Sequence, residues 1–516
     1  MLRGNTCTGT DTAFMPHSLT MTGRLCHLAL ILTALLLAAC SNPADEAIRF
    51  GLASQPTNLD PRFATDATSA RINRLLYQRL VDFDDQARPV PALATWERLD
   101  PRHYRFSLRQ PRPDFHDGQP LTAQDAAATY RSMLEPGSVS PHAGTLQVIR
   151  QIEVLDDNTL DFFLQRPDPL FPGYLAIGIL PAKGIAADMP FHSEPLGSGP
   201  FRLHSWPEPG RLRLTRLGDG QAVEFQRIND PTVRVLKLIR GEIDLLQNDL
   251  PAELLTYLDS RQGISVQYGA GSNFAYLGFN LDDPHSGDRR VRYAVAHAID
   301  RQSIIKHVLG GAARTAGALL PPEHWAGLQS PSQPAHEPDR ARQLLREVGY
   351  SAGRPLELDY KTSTDPVRIR IATILQQQLA AVGIRMTLRS YDWGTFFGDI
   401  KAGRFQMYSL MWVGIKTPDI FRYAFHSSSL PPDGANRGRY NDARTDRLIE
   451  QAAAGETLAI QAEGWRRVQA RLLDELPYVP LWFEDHVFAA RDGISRYRLA
   501  PDGNYDALQF VEKTAP

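Results

Sequence analysis

The sequence predicts a mixed α/β protein of two α/β lobes with a cleft between them. Strand-like and helix-like segments alternate from Ile48 onward, with no repeat of fixed period. Around Leu356, Leu358 and Tyr360 apolar residues recur every second position; Asp365 and Pro366 open a helix that runs to Gly383; the alternation then resumes at Ile384, Met386 and Leu388. A crossover of that length joins parallel strands in the right-handed sense, which predicts an open α/β sheet. A second strand, helix, strand unit is expected around Asp230 and Pro231, with Gly241 closing its helix before the apolar stretch Ile243 to Leu246. Clefts between such lobes are where small ligands bind.

In chain order, the first feature is a run of apolar residues from Leu28 to Ala39, shorter than the roughly 20 residues that a membrane-spanning helix needs. With Arg24 before it and Leu37, Ala38, Ala39 and Cys40 after it, the run reads as a signal peptide covering residues 1–40. Met15 and Met21 offer alternative starts for it. The four residues ending in Cys40 resemble the lipobox of bacterial lipoproteins, which makes Cys40 the expected lipidation site; the alternative is ordinary cleavage after an Ala-x-Ala-like site. Cys7 and Cys26 precede it, so a mature chain beginning at Cys40 has no second cysteine for a disulfide.

The turn-rich stretch Gln55 to Pro61 leads into a helix expected through Ile72, Leu76 and Leu80, its start facing a cleft. Tyr104, Phe106 and Leu108 alternate as a half-buried strand; Thr122, with Asp125 three residues on, caps a helix carrying Tyr130 and Met133; Leu160, Phe162 and Leu164 form a further strand. Together they read as a small α+β unit. Gly197 to Phe201 is a turn into strands led by Phe201 and Leu203, then by Leu212 and Leu214.

Composition excludes some function classes. The 516 residues hold 56 Lys and Arg against 58 Asp and Glu, a formal charge of -2, so no basic stripe for nucleic acid is expected. Ser303, Ile304, Ile305 and Lys306 match the Ser-x-x-Lys pattern of penicillin-binding enzymes, but no Ser-Asp-Asn or Lys-Thr-Gly follows, and the stretch reads as a helix opened by Asp300. The histidines form no metal-binding spacing and no phosphate-cradling loop occurs, so no catalytic residue, cofactor or resident metal is expected, and energy for any transport comes from a separate ATPase.

Pro56 to Pro61, Phe115 to Asp125, Gly197 to Trp206, Gly241 to Asp244, Tyr276 to Asn280, Arg290 to Arg301, Leu344 to Tyr350 and Gly394 to Trp412 occur in an order that resembles the family 5 solute-binding proteins, the oligopeptide, dipeptide and nickel class of ABC-importer receptors. The resemblance implies a two-lobed periplasmic-binding-protein-like fold of type II, cluster C, with an inserted α+β domain. It places the first lobe at residues 41–88, 195–274 and 477–516, the insert at 89–194 and the second lobe at 275–476. It further implies a lipid-anchored monomer on the periplasmic or cell-surface side of a bacterial membrane, which captures a peptide or peptide-like solute and hands it to an ABC permease and ATPase. A ligand sensor of the envelope, or a receptor for a nickel complex, haem or an anionic solute, are the alternatives.

Peptide receptors of this family keep an acidic residue after a Trp-x-Gly string to pair with the ligand's amine. Here Trp412, Val413 and Gly414 match, but Ile415 occupies the acidic position, and the next carboxylate is Asp419. An ammonium buried without a counter-charge is costly, so binding of an ordinary peptide amino terminus is in doubt unless Asp419 takes that role. The candidate ligand-binding residues are therefore Asn273, Phe274, Tyr276, Trp412, Ile415, Asp419, His426 and Arg437. Lys416, Arg422, Arg437 and Arg439, interleaved with Phe421, Tyr423, His426 and Tyr440, suit a carboxylate- or phosphate-bearing ligand; the bland reading is that these cations are solvated and that His426 is simply hydrogen-bonded.

Overall fold

The computed structural model describes residues 47–331 and 333–514; the expected signal peptide, with Cys7, Cys26 and Cys40, lies outside them. One 11-stranded sheet runs through both lobes.

In the first lobe Ile48–Leu52 lies between Ala222–Arg227 and Leu245–Gln247, parallel to both. Ala222–Arg227 continues antiparallel into Arg211–Arg216 and then Phe201–Glu208. The helix Pro231–Arg240 makes the crossover: the Asp230 carboxylate accepts the Val233 N–H at 2.8 Å, and Gly241 ends the helix in the left-handed conformation (φ 74°). Ala222–Arg227 was not expected as a strand. The helix expected to reach Leu80 spans Ala67–Leu76 and stops because Tyr77 is extended (φ −127°, ψ 140°). There the Gly197 to Pro200 turn takes over the helix's last carbonyl: the Gly199 N–H donates to the Leu76 oxygen at 2.8 Å, and a Cβ on Gly197 would fall 1.9 Å from the same atom. Only glycine permits that approach.

The α+β unit forms as read. Its antiparallel sheet has the order Ala94–Asp100, His103–Leu108, Thr159–Leu164, Ile149–Val154. The helix Ala123–Leu134 covers it, and the Asp125 carboxylate receives both the N–H and the hydroxyl of Thr122 at 2.8 Å. Phe106, Tyr130, Phe162 and Phe171 fill a core of its own.

In the second lobe Leu356–Ser363 and Ile384–Tyr391 pair parallel, with the helix Pro366–Ala380 crossing between them, and Met407–Trp412 pairs on the far side of Leu356–Ser363. Helices cover both faces. Leu358, Tyr360 and Leu375 belong to the core on one side; Tyr276, Phe421 and Trp465 belong to the core on the other. Ser303 lies in the helix Arg301–His307, where its N–H is taken by Asp300 at 3.0 Å, as a residue of a helix start rather than a nucleophile.

Two long strands, Ile264–Phe279 and Tyr478–Arg491, pair antiparallel and carry the sheet from one lobe into the other. Tyr478–Arg491 pairs with Leu245–Gln247 of the first lobe through residues 488–490, and Ile264–Phe279 pairs with Met407–Trp412 of the second through residues 274–279. Between the lobes the register slips, with Gly269 opposite His486 and Asn273 opposite Glu484, so that Ala270, Gly271 and Ser272 face Asp485 alone. Such a bulge bends and twists a strand pair. A Cβ on Gly271 would lie 2.1 Å from the Glu484 carbonyl oxygen, which restricts this position to glycine.

Candidate functional site

Beside this bulge a cavity of about 810 Å³ opens between the lobes. That is the size of a site for a short peptide or similar solute. The first lobe contributes Ser54, Thr68 and Arg71, then Asn248 and Asp249 with Arg234 behind them, and His486 and Tyr505; the second contributes Arg368, Met411 and Val413; Asn273 and Glu484 come from the two strands that both lobes share. Ala67, Thr68 and Arg71 belong to the first turns of the helix expected to face a cleft, whose start is fixed by the Asp66 carboxylate accepting the Ser69 N–H at 2.8 Å. Opposite them lies another helix start, at Asp365 to Arg368. Its Arg368 pairs with Glu484 at 3.1 Å, and Arg370, one helical turn in, pairs with Glu253 of the first lobe. Burial pushes the pKa of His486 below its ordinary value, so the imidazole on this wall is neutral; its Nδ1 meets the Asn248 side chain at 3.0 Å.

Of the eight residues singled out in the sequence, Asn273 lines this cavity. Phe274, Tyr276, Trp412 and Arg437 are brought together, but on the opposite face of the second-lobe sheet, as strand alternation requires: Met411 and Val413 point to the cavity and Trp412 away. There the ring of Tyr276 stacks on Tyr478 at 4.0 Å and on Phe274 at 5.9 Å. The Arg437 guanidinium lies 4.9 Å from the Trp412 ring centroid and 5.3 Å from that of Phe397, with Nη1 3.4 Å from the Tyr276 hydroxyl. No carboxylate pairs with it among the described residues, whereas Lys416 pairs with Asp502 and Arg439 lies 3.7 Å from Asp282. The hydroxyls of Tyr408 and Tyr478 and the indole N–H of Trp412 are buried there without hydrogen-bond partners.

Ile415 packs against the rim of this aromatic core. Asp419 accepts the Thr417 hydroxyl at the start of the short helix Ile420–Phe425, and burial pushes its carboxyl pKa up. It is not part of the cavity wall. His426 stands apart, buried at the end of that helix: its Nδ1 meets the Ser428 hydroxyl at 2.7 Å and its Nε2 lies 3.4 Å from Glu450. That is the hydrogen-bonded arrangement of the bland reading.

The sequence reading missed Met411 and Val413, although they flank Trp412 on an alternating strand, and it missed the Asn248–Asp249 turn. Asn and Asp are the side chains that best tolerate a left-handed backbone, and both residues adopt one, with φ 61° and 57°. Among the described residues no group of three or more His, Cys, Asp and Glu side chains could hold a metal, and no helix is long and apolar enough to cross a membrane.

A family model described as bacterial extracellular solute-binding proteins, family 5, matches residues 88–430. Among curated proteins, the chain is 28% identical to di/tripeptide-binding protein 2 of Pseudomonas aeruginosa, across 92% of this chain and 97% of that one. Among solved structures, it is similar to the oligopeptide-binding protein AppA of Bacillus subtilis in complex with a nonapeptide, with a TM-score of 0.75 and 23% identity over 91% of this chain and 99% of that one. It is equally similar to NikZ of Campylobacter jejuni in complex with nickel and L-histidine, with a TM-score of 0.76 and 22% identity over 91% of this chain and 100% of that one.

Proposed function

Because the chain belongs to the family 5 bacterial extracellular solute-binding proteins, we propose that it captures a short peptide or peptide-like solute between its lobes and delivers it to an ABC permease and its ATPase. It is a periplasmic binding protein and not an enzyme. The observation that carries the choice of ligand is the cavity of about 810 Å³, walled by both lobes at the bulge of the two shared strands. A solute gripped from both sides stabilises the closed form by its differential contacts, which is how a receptor of this shape signals occupancy. The relatives named for di- and tripeptides support the solute class.

We place the lobe limits where the sequence reading has them, and the strand Tyr478–Arg491, which packs into the cores of both, supports a shared connection there. The site comprises the cavity wall, including Asn273, with the Trp412 and Arg437 cluster adjoining it across the strand. Arg437, a partly buried cation with no ion pair among the described residues, lies on the sheet face away from the cavity, where it holds the rings of Trp412 and Phe397 together behind the wall formed by Met411 and Val413. The chain works as a monomer anchored by lipid at Cys40.

Calorimetry on protein stripped of co-purified ligand, with a panel of di- to pentapeptides, tests the reading. Saturable binding of at least one peptide class with a fall in radius of gyration is expected. A panel that binds nowhere, with a nickel chelate or haem binding instead, overturns it. Metabolic labelling with a fatty acid tests the anchor, since Cys40→Ser should abolish the label.

A further inference from the structure

Five carboxylates line the interlobe cavity: Asp249, Glu253, Asp365, Glu484 and Asp485. Four are committed. Glu253 pairs with Arg370 and Glu484 with Arg368. Asp365 accepts the Arg368 N–H at 2.9 Å as the cap of its helix, and Asp485 accepts the Gly271 N–H at 3.4 Å within the bulge. The Asp249 carboxylate has no ion pair and no hydrogen bond among the described residues; the contact Asp249 does make is through its main-chain oxygen.

That carboxylate is held in place by its backbone. Asn248 and Asp249 are consecutive non-glycine residues in the left-handed region, a conformation kept only where the surroundings impose it. The side-chain oxygen of Asn248 accepts the Val487 N–H at 2.9 Å, and the Asn248 N–H donates to the Val487 oxygen at 2.8 Å, which ties the turn to the strand shared by both lobes. Arg234, 1% exposed, donates from Nη2 to the Asp249 carbonyl oxygen and from Nη1 to the Ile228 carbonyl oxygen at 2.6 Å. Its hydrogen bonds go to main-chain oxygens, so it fixes the turn and sets a positive charge behind it without occupying the carboxylate. The Asp249 side chain is exposed to the cavity. Loss of hydration there raises its pKa, with Arg234 and Arg71 acting in the opposite direction, as befits a carboxylate lacking a direct counter-charge.

Such an acceptor suits a ligand ammonium, which needs a charge-assisted hydrogen bond in a poorly hydrated site. On the second lobe Ile415 offers none, and Asp419 lies off the cavity wall. We infer that Asp249 is the carboxylate that receives the ligand's amino group, so that the amine is read by the first lobe. The inference rests on the proposal that the solute is a peptide or peptide-like amine.

The test is calorimetry on the stripped, full mature chain with Ala-Ala, Ala-Phe and Gly-Gly-Leu beside their N-acetyl counterparts, for the wild type, Asp249→Asn and the control Asp485→Asn. Wild type should bind the free-amine forms about 10- to 100-fold more tightly than the acetylated ones. Asp249→Asn, isosteric and at ease in a left-handed backbone, should remove that preference, while Asp485→Asn should retain it. If peptides bind and the wild type does not distinguish free from acetylated forms, the inference is overturned while the peptide reading stands. The same follows if Asp249→Asn keeps the preference. If no peptide in the panel binds, both fall. The wild-type comparison alone decides the matter should the variant fail to fold.

Discussion

Lys416 and Asp502 form an ion pair from one lobe to the other, Lys416 on the loop after strand Met407–Trp412 and Asp502 in the C-terminal segment that packs with the first lobe. The ammonium also sits 5.4 Å from the ring centroid of Phe83. Burial raises the carboxyl pKa of Asp502, but the charge and hydrogen bond of Lys416 outweigh it and the net shift is downward. The pair therefore favours the approach of the lobes. Lys416→Met should weaken ligand binding by about 1–2 kcal/mol, the range for a partly buried pair. Calorimetry and solution scattering together check this: affinity should drop and the ligand-free radius of gyration rise, and no change in either removes the pair as a latch.

Gly271 is the tightest point of the connection between the lobes. Gly271→Val puts branched carbon where 2.1 Å separates an ideal Cβ from the Glu484 oxygen, so the shared strands must part. A loss of roughly 1–3 kcal/mol is expected from such overpacking, read as a lower urea midpoint at unchanged m. Gly398, whose Cβ would meet nothing within 4 Å, is the matched control for alanine substitution, with a change near zero or slightly favourable.

His324 makes the protein acid-sensitive. Its Nδ1 accepts the Ala326 N–H at 3.0 Å, so its Nε2 carries the proton and donates to the Lys416 carbonyl at 3.1 Å; the ring is neutral. Burial lowers its pKa from 6.5 to about 4. The unfolded chain therefore binds a proton that the native one refuses between these values, and stability declines as pH falls through 6.5 toward 4. The loss should approach 3 kcal/mol, roughly, at 1.36 kcal/mol per unit. Urea titrations at pH 7.5 and pH 4.5 measure it, and in His324→Gln the difference between the two should shrink; an equal difference in both proteins would assign the acid sensitivity elsewhere.

Arg437 should act through the aromatic cluster and not through ligand charge, since it lies on the sheet face away from the cavity. Arg437→Gln is expected to lower affinity for peptides with an Asp or Glu side chain and for their Ala counterparts alike, because the rings of Trp412 and Phe397 lose the cation packed against them. A loss confined to the acidic peptides in calorimetry would place its guanidinium at the ligand instead.

Elements set by local chemistry were legible in the sequence. Asp230, Asp365 and Thr122 stand at their helix starts, and the period-two stretches around Phe106, Phe162 and Leu358 are strands. What depends on distant partners was not. Ala222–Arg227 alternates Val223 and Phe225 with Glu224 and Gln226 over only a few positions, the pattern of a strand with one wet face; that Glu224 is instead 2% exposed, satisfied by Arg211 from the neighbouring strand, shows only in the fold. The helix at Ala67 ends early because of a turn more than a hundred residues onward, at Gly197 to Gly199. At the site, Trp412 marked the right strand but not the face of it that meets the cavity, and the local signal at Asp249, an Asn-Asp pair suited to a left-handed turn, says nothing of a cavity. Asp249 stands out only once the other carboxylates of the cavity are seen to be taken.

The strand Tyr478–Arg491 supplies Leu481 and Trp482 to one core and Phe488 and Ala490 to another, and Ile48–Leu52 waits for partners at residues 222–227 and 245–247. Synthesis runs from the other direction. The insert and the second lobe draw their cores from continuous stretches, Leu80 to Ile179 and Phe274 to Phe483, whereas the first lobe gathers its core from segments between Ile48 and Val511. The second lobe cannot complete its sheet until residue 484 has left the ribosome, nor the first until residue 491, and contacts of such sequence separation form slowly. In a nascent chain of this topology the first lobe stays open for nearly the whole length of synthesis, a state that suits threading through a narrow export channel and leaves final folding to the far side.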